Sequence, residues 1–408
     1  MTIQNSSSSA FNLKAITRPN IYVLEPYRCA RDDYKTGVLL DANENAYGPA
    51  LVNTESAEFS VISSDTLAGL NRYPDPHQEE VKQLICNLRN LPIKDDQVVE
   101  PLKPANIYVG VGSDECIDTI IRCFCSPGKD KMLTCPPTYG MYAVSAQIND
   151  IEVVKVPQDP ANGFDIRTDA VMEALSNDPS IHLLYLCSPG NPTASLVDRE
   201  SVKKILKHPT WNGIVVVDEA YVDFAPVGSS LAPWVTKYDN LIVLQTLSKA
   251  FGMAGIRFGI SYTSHSIATI LNAVKAPYNV STITSELAIQ GLSVSSLSNV
   301  RKNISYILTQ RDRLLRELPL IPGIGNFIGG HDSNFLLVQI LDKPAGQPSN
   351  IVANKLYESL AQNKGVVVRF RGKEYGCLGA LRITVGTGEE NTILLEKIRE
   401  ALMEIYKA

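Results

Sequence analysis

The sequence predicts an α/β fold: a mostly parallel sheet covered by helices on both faces, followed by a smaller α/β domain. Three observations lead there. From about residue 105 to about 260, short β-branched runs alternate with segments of helical periodicity. The runs are almost continuously apolar, as strands buried on both faces are. After about residue 296 a long amphipathic stretch intervenes, and strands and helices then alternate on a smaller scale.

In chain order, the opening MTIQNSSSSAF is polar and reads as a flexible leader over residues 1–12. NIYVGV (106–111) is the first strand of the larger unit. The helix after it carries Ile117, Ile120, Ile121 and Phe124 at the three-and-four spacing of one buried face. KMLTC (131–135), IEVVKV (151–156), LLYLC (183–187), IVVVD (214–218) and LIVLQ (241–245) are the strands that follow, with helix-like segments between most of them. SNVRKNISYILTQRDRLLREL then places Ile304, Ile307, Leu308, Leu315 and Leu318 along one helix face. Pro319 stops it, having no N–H to continue the ladder. NFLLVQI (334–340), GVVVRF (365–370) and LRITV (381–385) are strands of the smaller unit, interleaved with helices near 349–362 and 388–406. The long helix is the expected connector, with a boundary near residue 300.

With 408 residues, 44% hydrophobic and 20% charged, the chain is long enough for two or three domains. Its net charge of −5 speaks against a nucleic-acid or anionic-membrane surface. No uninterrupted apolar run approaches the ~18 residues of a membrane span. The eight cysteines are scattered without C-x-x-C spacing, and the polar start is no secretory signal. Reduced thiols and a cytoplasmic location are therefore expected. The five histidines form no H-E-x-x-H or other ligand cluster, so no metal is expected.

In an open α/β sheet, ligands bind beyond the carboxyl ends of the strands. Polar residues fall there repeatedly: Gly112 to Glu115 after NIYVGV, Ser188 to Thr193 after LLYLC, Asp218 to Tyr221 after IVVV, and Thr246, Ser248 and Lys249 after LIVLQ. Tyr139 follows a fifth strand. GVGSDE begins like a dinucleotide fingerprint, but Glu115 stands where the third glycine would be. A phosphate can still sit on the N–H groups of Ser113 and Asp114, with the Asp114 carboxylate turned elsewhere. Taken alone, the segment reads equally as an ordinary helix start whose acidic residues suit the dipole. TLSKAFGMAGIRFG (246–259) sets Lys249 and Arg257 among small and apolar residues. Singly, Lys249 reads as a surface lysine, Asp218 as half of an ion pair and Arg257 as cover for a sheet edge. Together they supply an amine for a carbonyl, a carboxylate for a ring nitrogen and a cation for a phosphate, which are the needs of pyridoxal phosphate.

At these residues the sequence resembles the aspartate-aminotransferase-like, fold-type I enzymes of pyridoxal phosphate. Within them it resembles the histidinol-phosphate aminotransferase family in its fungal form, over about residues 18 to 405. SPGNPT, DEAY and TLSKAFGMAGIRFG carry the general likeness. LEPYRCARDDY, LLDANENAYGP, RYPDPH, PPTYGMY, VVVRFRG and LRITVGT carry the narrower one. Ala194 departs from it, standing where the family usually has glycine.

The resemblance implies an N-terminal arm and part of the small domain over 13–69, a large cofactor-binding domain over 70–300 and a small C-terminal domain over 301–408. It implies that Lys249 bonds the cofactor aldehyde and is the catalytic base. Asp218 would pair with the ring nitrogen, Asn191 and Tyr221 with the ring's phenolic oxygen, and Tyr139 would stack on the ring. Ser113, Asp114, Ser248 and Arg257 would hold the cofactor phosphate, with Tyr73 reaching the phosphate of a neighbouring subunit in a homodimer. Tyr27, Arg369 and Arg382 would hold the substrate phosphate, with Asn43 nearby and Tyr278 contributed by the partner. Guanidinium forks match carboxylate and phosphate alike, so one pocket could serve glutamate and a phosphomonoester in turn.

Taken alone, Tyr27 and Tyr278 read as packing aromatics, and Arg369 and Arg382 as solvent-facing strand arginines. Two other readings stand beside this one. The first is another fold-type I enzyme, an aromatic aminotransferase or a threonine-phosphate decarboxylase. The second is a non-catalytic regulator that binds pyridoxal phosphate. Regulators of that kind carry a DNA-binding domain ahead of the fold, and only about 20 residues precede the matched region here.

Overall fold

The computed structural model describes residues 13–25, 30–51, 62–90 and 100–407. The expected leader and the expected substrate residue Tyr27 lie outside the described residues. The strands are β1 (Val38–Leu39), β2 (Ile107–Val111), β3 (Lys131–Thr134), β4 (Glu152–Lys155), β5 (Ile181–Cys187), β6 (Ile214–Asp218), β7 (Leu241–Thr246), β8 (Phe258–Thr263), β9 (Ile324–Phe327), β10 (Phe335–Ile340), β11 (Val366–Val367), β12 (Arg369–Phe370) and β13 (Ala380–Thr384).

Seven of them form one sheet in the order β2-β8-β7-β6-β5-β3-β4. All are parallel except β8, which runs against both its neighbours. Helices cover the sheet. The helix Gly112–Phe124 buries Cys116, Ile117, Ile120 and Ile121. In β6, Val215, Val216 and Val217 are all fully buried. Each such side chain contributes about 1.5–3 kcal/mol relative to exposure. A strand covered on both faces has no solvent side for polar residues, which is why these strands read as unbroken apolar runs.

The second sheet is antiparallel, in the order β12-β13-β10-β9, and β1 pairs with β11 in parallel beside it. The helix Val294–Glu317 leads into this part of the chain. Ser293 caps it by accepting from the Ser296 N–H, and Val300, Ile307 and Leu314 form its buried stripe. It ends one residue before the turn Leu318–Leu320 that holds Pro319.

The architecture is the expected α/β one, with four differences in detail. β1, β8 and β9 were not read as strands. GVVVRF is not one strand but two: β11 pairs with β1, and after Val368 the chain switches sheets so that β12 pairs with β13. That switch sets Arg369 directly opposite Arg382. Among the described residues no helix is long and apolar enough to cross a membrane. Nor, among them, does any group of three or more His, Cys, Asp or Glu offer a metal site.

Candidate active site

Because β2, β5, β6 and β7 are parallel, the residues just past their carboxyl ends share one edge of the sheet. β8 is reversed, so it begins at that edge and brings Arg257 to it. A cavity of about 220 Å³ opens there. Lys249, Asp218, Tyr221, Asn191, Ser248, Ser113, Asp114, Tyr139 and Arg257 all line it.

Lys249 lies in the loop after β7. Its Nζ donates to the Ala42 carbonyl at 2.9 Å and sits 5.8 Å from the centre of the Tyr221 ring. Burial pushes its ammonium down to about 8, helped by the Arg382 charge, while Glu44 and Asp114 oppose the shift. An ordinary lysine is almost wholly protonated near neutrality; this one keeps about a tenth of its amine free at pH 7.

Asp218 ends β6 and is 3% exposed. Its Oδ2 accepts the Tyr142 hydroxyl at 2.7 Å and its Oδ1 the Ala220 N–H at 3.1 Å. Burial raises it to about 6, and those two bonds pull it back toward the anion. At neutral pH it remains a carboxylate, facing the cavity. Across from it, Tyr221 accepts a bond from Asn43 Nδ2 at 3.0 Å and is pushed by burial up to about 12, so its phenol stays protonated.

The other end of the cavity is cationic. Gly112 donates its N–H to the Arg257 carbonyl at 3.0 Å, which ties the start of β8 to the start of the Gly112–Phe124 helix. A Cβ on Gly259 would run into the backbone of Gly112 and Ser113, and one on Gly112 into the Arg257 guanidinium. The glycines thus let a helix N-terminus and a guanidinium stand side by side, an arrangement that favours a bound phosphate. Contrary to expectation, the Asp114 carboxylate is not turned away from this end but stays beside the guanidinium: Oδ1 accepts from Tyr139 at 3.0 Å and Oδ2 lies 3.4 Å from Arg257 Nη2. Ser248 is held by its N–H, which donates to Thr246 Oγ1 at 3.1 Å, and by a 2.9 Å bond between the two hydroxyls.

Arg382, on β13, does not line the cavity but bonds to Asn191 of its wall. Its Nη1 donates to Asn191 Oδ1 at 2.7 Å and its Nη2 to the Asp41 carbonyl, while its buried Nε has no partner among the described residues. Holding Asn191 by its oxygen leaves the amide N–H₂ as the side free to donate into the cavity. Burial, then the neighbouring charges of Arg371 and Arg369, lower Arg382 to about 10. Three guanidiniums, with the buried Nε of Arg371 and of Arg382 both unpartnered among the described residues, make a site that an anion would stabilise.

The remaining expected residues are placed differently. Asn43 is buried behind Tyr221, with positive φ, and its amide oxygen accepts from Thr384 Oγ1 at 3.0 Å. Arg369 is half-buried beside Arg382. Tyr73 and Tyr278 stack on each other at the surface, ring centres 4.6 Å apart, and neither lines the cavity. Ala194 takes φ 55°, the left-handed conformation that glycine adopts more readily. Sequence reasoning assigned no role to Glu44 and Cys187, which line the cavity, or to Tyr142, which holds Asp218. Glu44 and Tyr142 lay within motifs already singled out, and Tyr142 follows Tyr139 by three residues.

An amine of lowered pKa, a carboxylate at one end, and a guanidinium that Gly112 and Gly259 let stand beside a helix N-terminus at the other are the groups that pyridoxal phosphate requires.

Comparison with known proteins agrees with this geometry. The profile of the class I and II aminotransferases matches residues 35–398. The histidinol-phosphate aminotransferase of Schizosaccharomyces pombe is 55% identical over 397 residues, 97% of this chain and 99% of that protein. That of Saccharomyces cerevisiae is 50% identical over 400 residues, again 97% and 99%. Among solved structures, histidinol-phosphate aminotransferase from Sinorhizobium meliloti in complex with pyridoxal-5′-phosphate superposes with a TM-score of 0.79 over 98% of this chain and 100% of that one, at 21% identity. Aspartate aminotransferase from Thermus thermophilus does so with a TM-score of 0.73 over 95% and 99%, at 18% identity. At such identities the two structures speak for the fold, and the close relatives for the family. The chain belongs to the class I and II aminotransferases, in their histidinol-phosphate aminotransferase family.

Proposed function

We propose that the chain transfers the amino group of L-histidinol phosphate to 2-oxoglutarate, giving 3-(imidazol-4-yl)-2-oxopropyl phosphate and L-glutamate, as a step of histidine biosynthesis. The observation that carries this is Lys249 and Asp218 in one cavity, with the guanidinium of Arg382 bonded to Asn191 of the cavity wall as a second, cationic site. The relatives that are 50–55% identical over 97% of the chain support the same substrate.

Bound pyridoxal phosphate supplies an electron-accepting ring that makes the α-hydrogen of an attached amino substrate acidic. The chain's own residues do the rest. Asp218 holds a proton on the ring nitrogen, which keeps the ring electron-poor. Asn191 and Tyr221 would donate to the ring's phenolic oxygen, and Tyr139 would cover its face. Arg257, the Ser113 and Asp114 N–H groups and the Ser248 hydroxyl hold the phosphate. Lys249 Nζ takes the proton from the substrate's α-carbon and later returns one, acting as base and then acid; its lowered pKa suits both roles near neutral pH. Arg382 and Arg369 receive the phosphate of histidinol phosphate or a carboxylate of glutamate, with Tyr27 assigned to the same group.

We further read the active unit as a homodimer, in which Tyr73 and Tyr278 of one copy complete the cavity of the other. The division into an arm (13–69), a large domain (70–300) and a small domain (301–408) and a cytoplasmic location belong to the same reading. The test is direct. Purified protein given pyridoxal phosphate is reduced with borohydride and mapped by peptide mass, alongside turnover of histidinol phosphate with 2-oxoglutarate. The tag is expected on Lys249, with glutamate formed. Tagging elsewhere, or a preference for phenylalanine or for decarboxylation of threonine phosphate, would replace this reading.

A further inference from the structure

Tyr142 does not line the cavity, yet from a fully buried position its hydroxyl donates to Asp218 Oδ2 at 2.7 Å. The other carboxylate oxygen is taken by the Ala220 N–H. Each donor fixes one oxygen, so two bonds set the plane of the carboxylate. The Tyr142 ring has its own contacts. It meets the ring of Tyr139 edge to face, centres 5.5 Å apart at 86°, and packs on Tyr185 at 5.0 Å. One buried side chain thus joins the acid at one end of the cavity to the aromatic ring at its wall.

We propose that Tyr142 is a positioning residue of the transamination: its hydroxyl holds the Asp218 carboxylate in the orientation and charge that a protonated ring nitrogen requires, and its ring sets the tilt of Tyr139. The proposal rests on the reading of this cavity as a pyridoxal phosphate site. Burial drives Asp218 toward its neutral form, and the Tyr142 bond is the strongest influence opposing that. Bonds to a charged acceptor are short and strong. Burial and the Asp218 charge together push the Tyr142 hydroxyl well above its ordinary value, so it remains a donor. Of the other groups facing Asp218, Asp114 opposes its ionisation and Lys249 favours it. The phenols of Tyr139, Tyr185 and Tyr221 and the thiols of Cys116 and Cys187 are all raised and neutral at pH 7.

Tyr142→Phe keeps the ring and removes only the donor. Apoproteins are titrated with pyridoxal phosphate between about pH 5 and about pH 9, and the loaded enzymes are assayed over the same range. In the variant, the dissociation constant at neutral pH is expected to rise about tenfold, and the acid limb of the kcat profile to move up by about one pH unit. KM for the amino donor should stay within about twofold. In an Asp218→Asn background the same substitution should cost much less, since only a neutral bond to the amide is lost and the carboxylate charge it acts through is gone. An unmoved acid limb, or an equal loss in both backgrounds, overturns the proposal. Should Tyr142→Phe not fold, 3-fluorotyrosine at this position, a stronger donor, must move the limb down instead; no movement there overturns it as well. A wild-type protein that binds no pyridoxal phosphate sinks the cofactor reading and the proposal together. A wild type that binds it, with an indifferent Tyr142→Phe, sinks the proposal alone.

Discussion

Asp218 and Glu219 are neighbours, both buried carboxyls, and only Asp218 opens onto the cavity. Glu219 accepts from the Leu231 N–H and the Ser230 hydroxyl and is raised by burial to about 7. Asp218 is raised from 3.8 to about 6 by the same cause. The folded apoprotein therefore binds the Asp218 proton more tightly than the unfolded chain. Stability falls as pH rises between those two values, and above about pH 6 the whole cost is present. A rise of this size corresponds to about 3 kcal/mol. Asp218→Asn removes the charge and keeps the shape, and the Tyr142 hydroxyl can turn to accept from the new amide. Urea unfolding of the apoproteins should show the variant about 3 kcal/mol more stable at about pH 8, with the advantage gone by about pH 4. Equal stability at the higher pH would mean that the carboxylate is not strained by its burial. A site residue that costs stability until its partner binds is a common bargain between function and folding.

At the scale of elements, the site depends on β8 running against its neighbours. Only then does Arg257, at its start, meet the start of the Gly112–Phe124 helix. Gly259 makes the approach possible, since a Cβ there would overlap the Gly112 backbone. Gly259→Ala should therefore push the helix start away from Arg257. We expect the apoprotein to bind pyridoxal phosphate at least about tenfold more weakly and to lose about 1–3 kcal/mol of stability. Fluorescence titration and thermal melting check the two effects, and unaltered affinity would show that the close approach is dispensable. The same glycine explains why β8 was illegible in the sequence. Gly259 and Ser261 interrupt the apolar run by which the other strands declare themselves, because the helix packs against them. GVVVRF fails in the opposite way. It is apolar enough to be one strand, but alternation does not say which sheet a residue joins. The site was legible where chemistry gathers at strand ends, as at Asn191, Asp218 and Lys249. Tyr142 was not, because a buried tyrosine on a helix reads as packing, and this one also packs.

For the whole molecule, the open question is what covers the phosphate end. The Arg257 side chain is 46% exposed. Beside it, Asn279 Nδ2 donates to Glu115 Oε2 at 3.1 Å, which anchors the neighbouring Tyr278 next to the helix start. Tyr73, 81% exposed, stacks on Tyr278. Two large exposed rings beside an open anion site, and not lining the cavity of their own chain, suit a second copy placed across a twofold axis. Subunit mixing separates this from a role within one chain. Lys249→Ala lacks the amine, and Tyr73→Ala lacks the ring; each variant alone is expected to be impaired. In a mixed dimer read this way, one site draws an intact Lys249 from one chain and an intact Tyr73 from the other. Equal amounts of the two variants, unfolded and refolded together, should recover about a quarter of wild-type sites, well above the mean of the separate activities. Were Tyr73 to serve its own chain, every site would lack either the amine or the ring, and mixing would give that mean and nothing more.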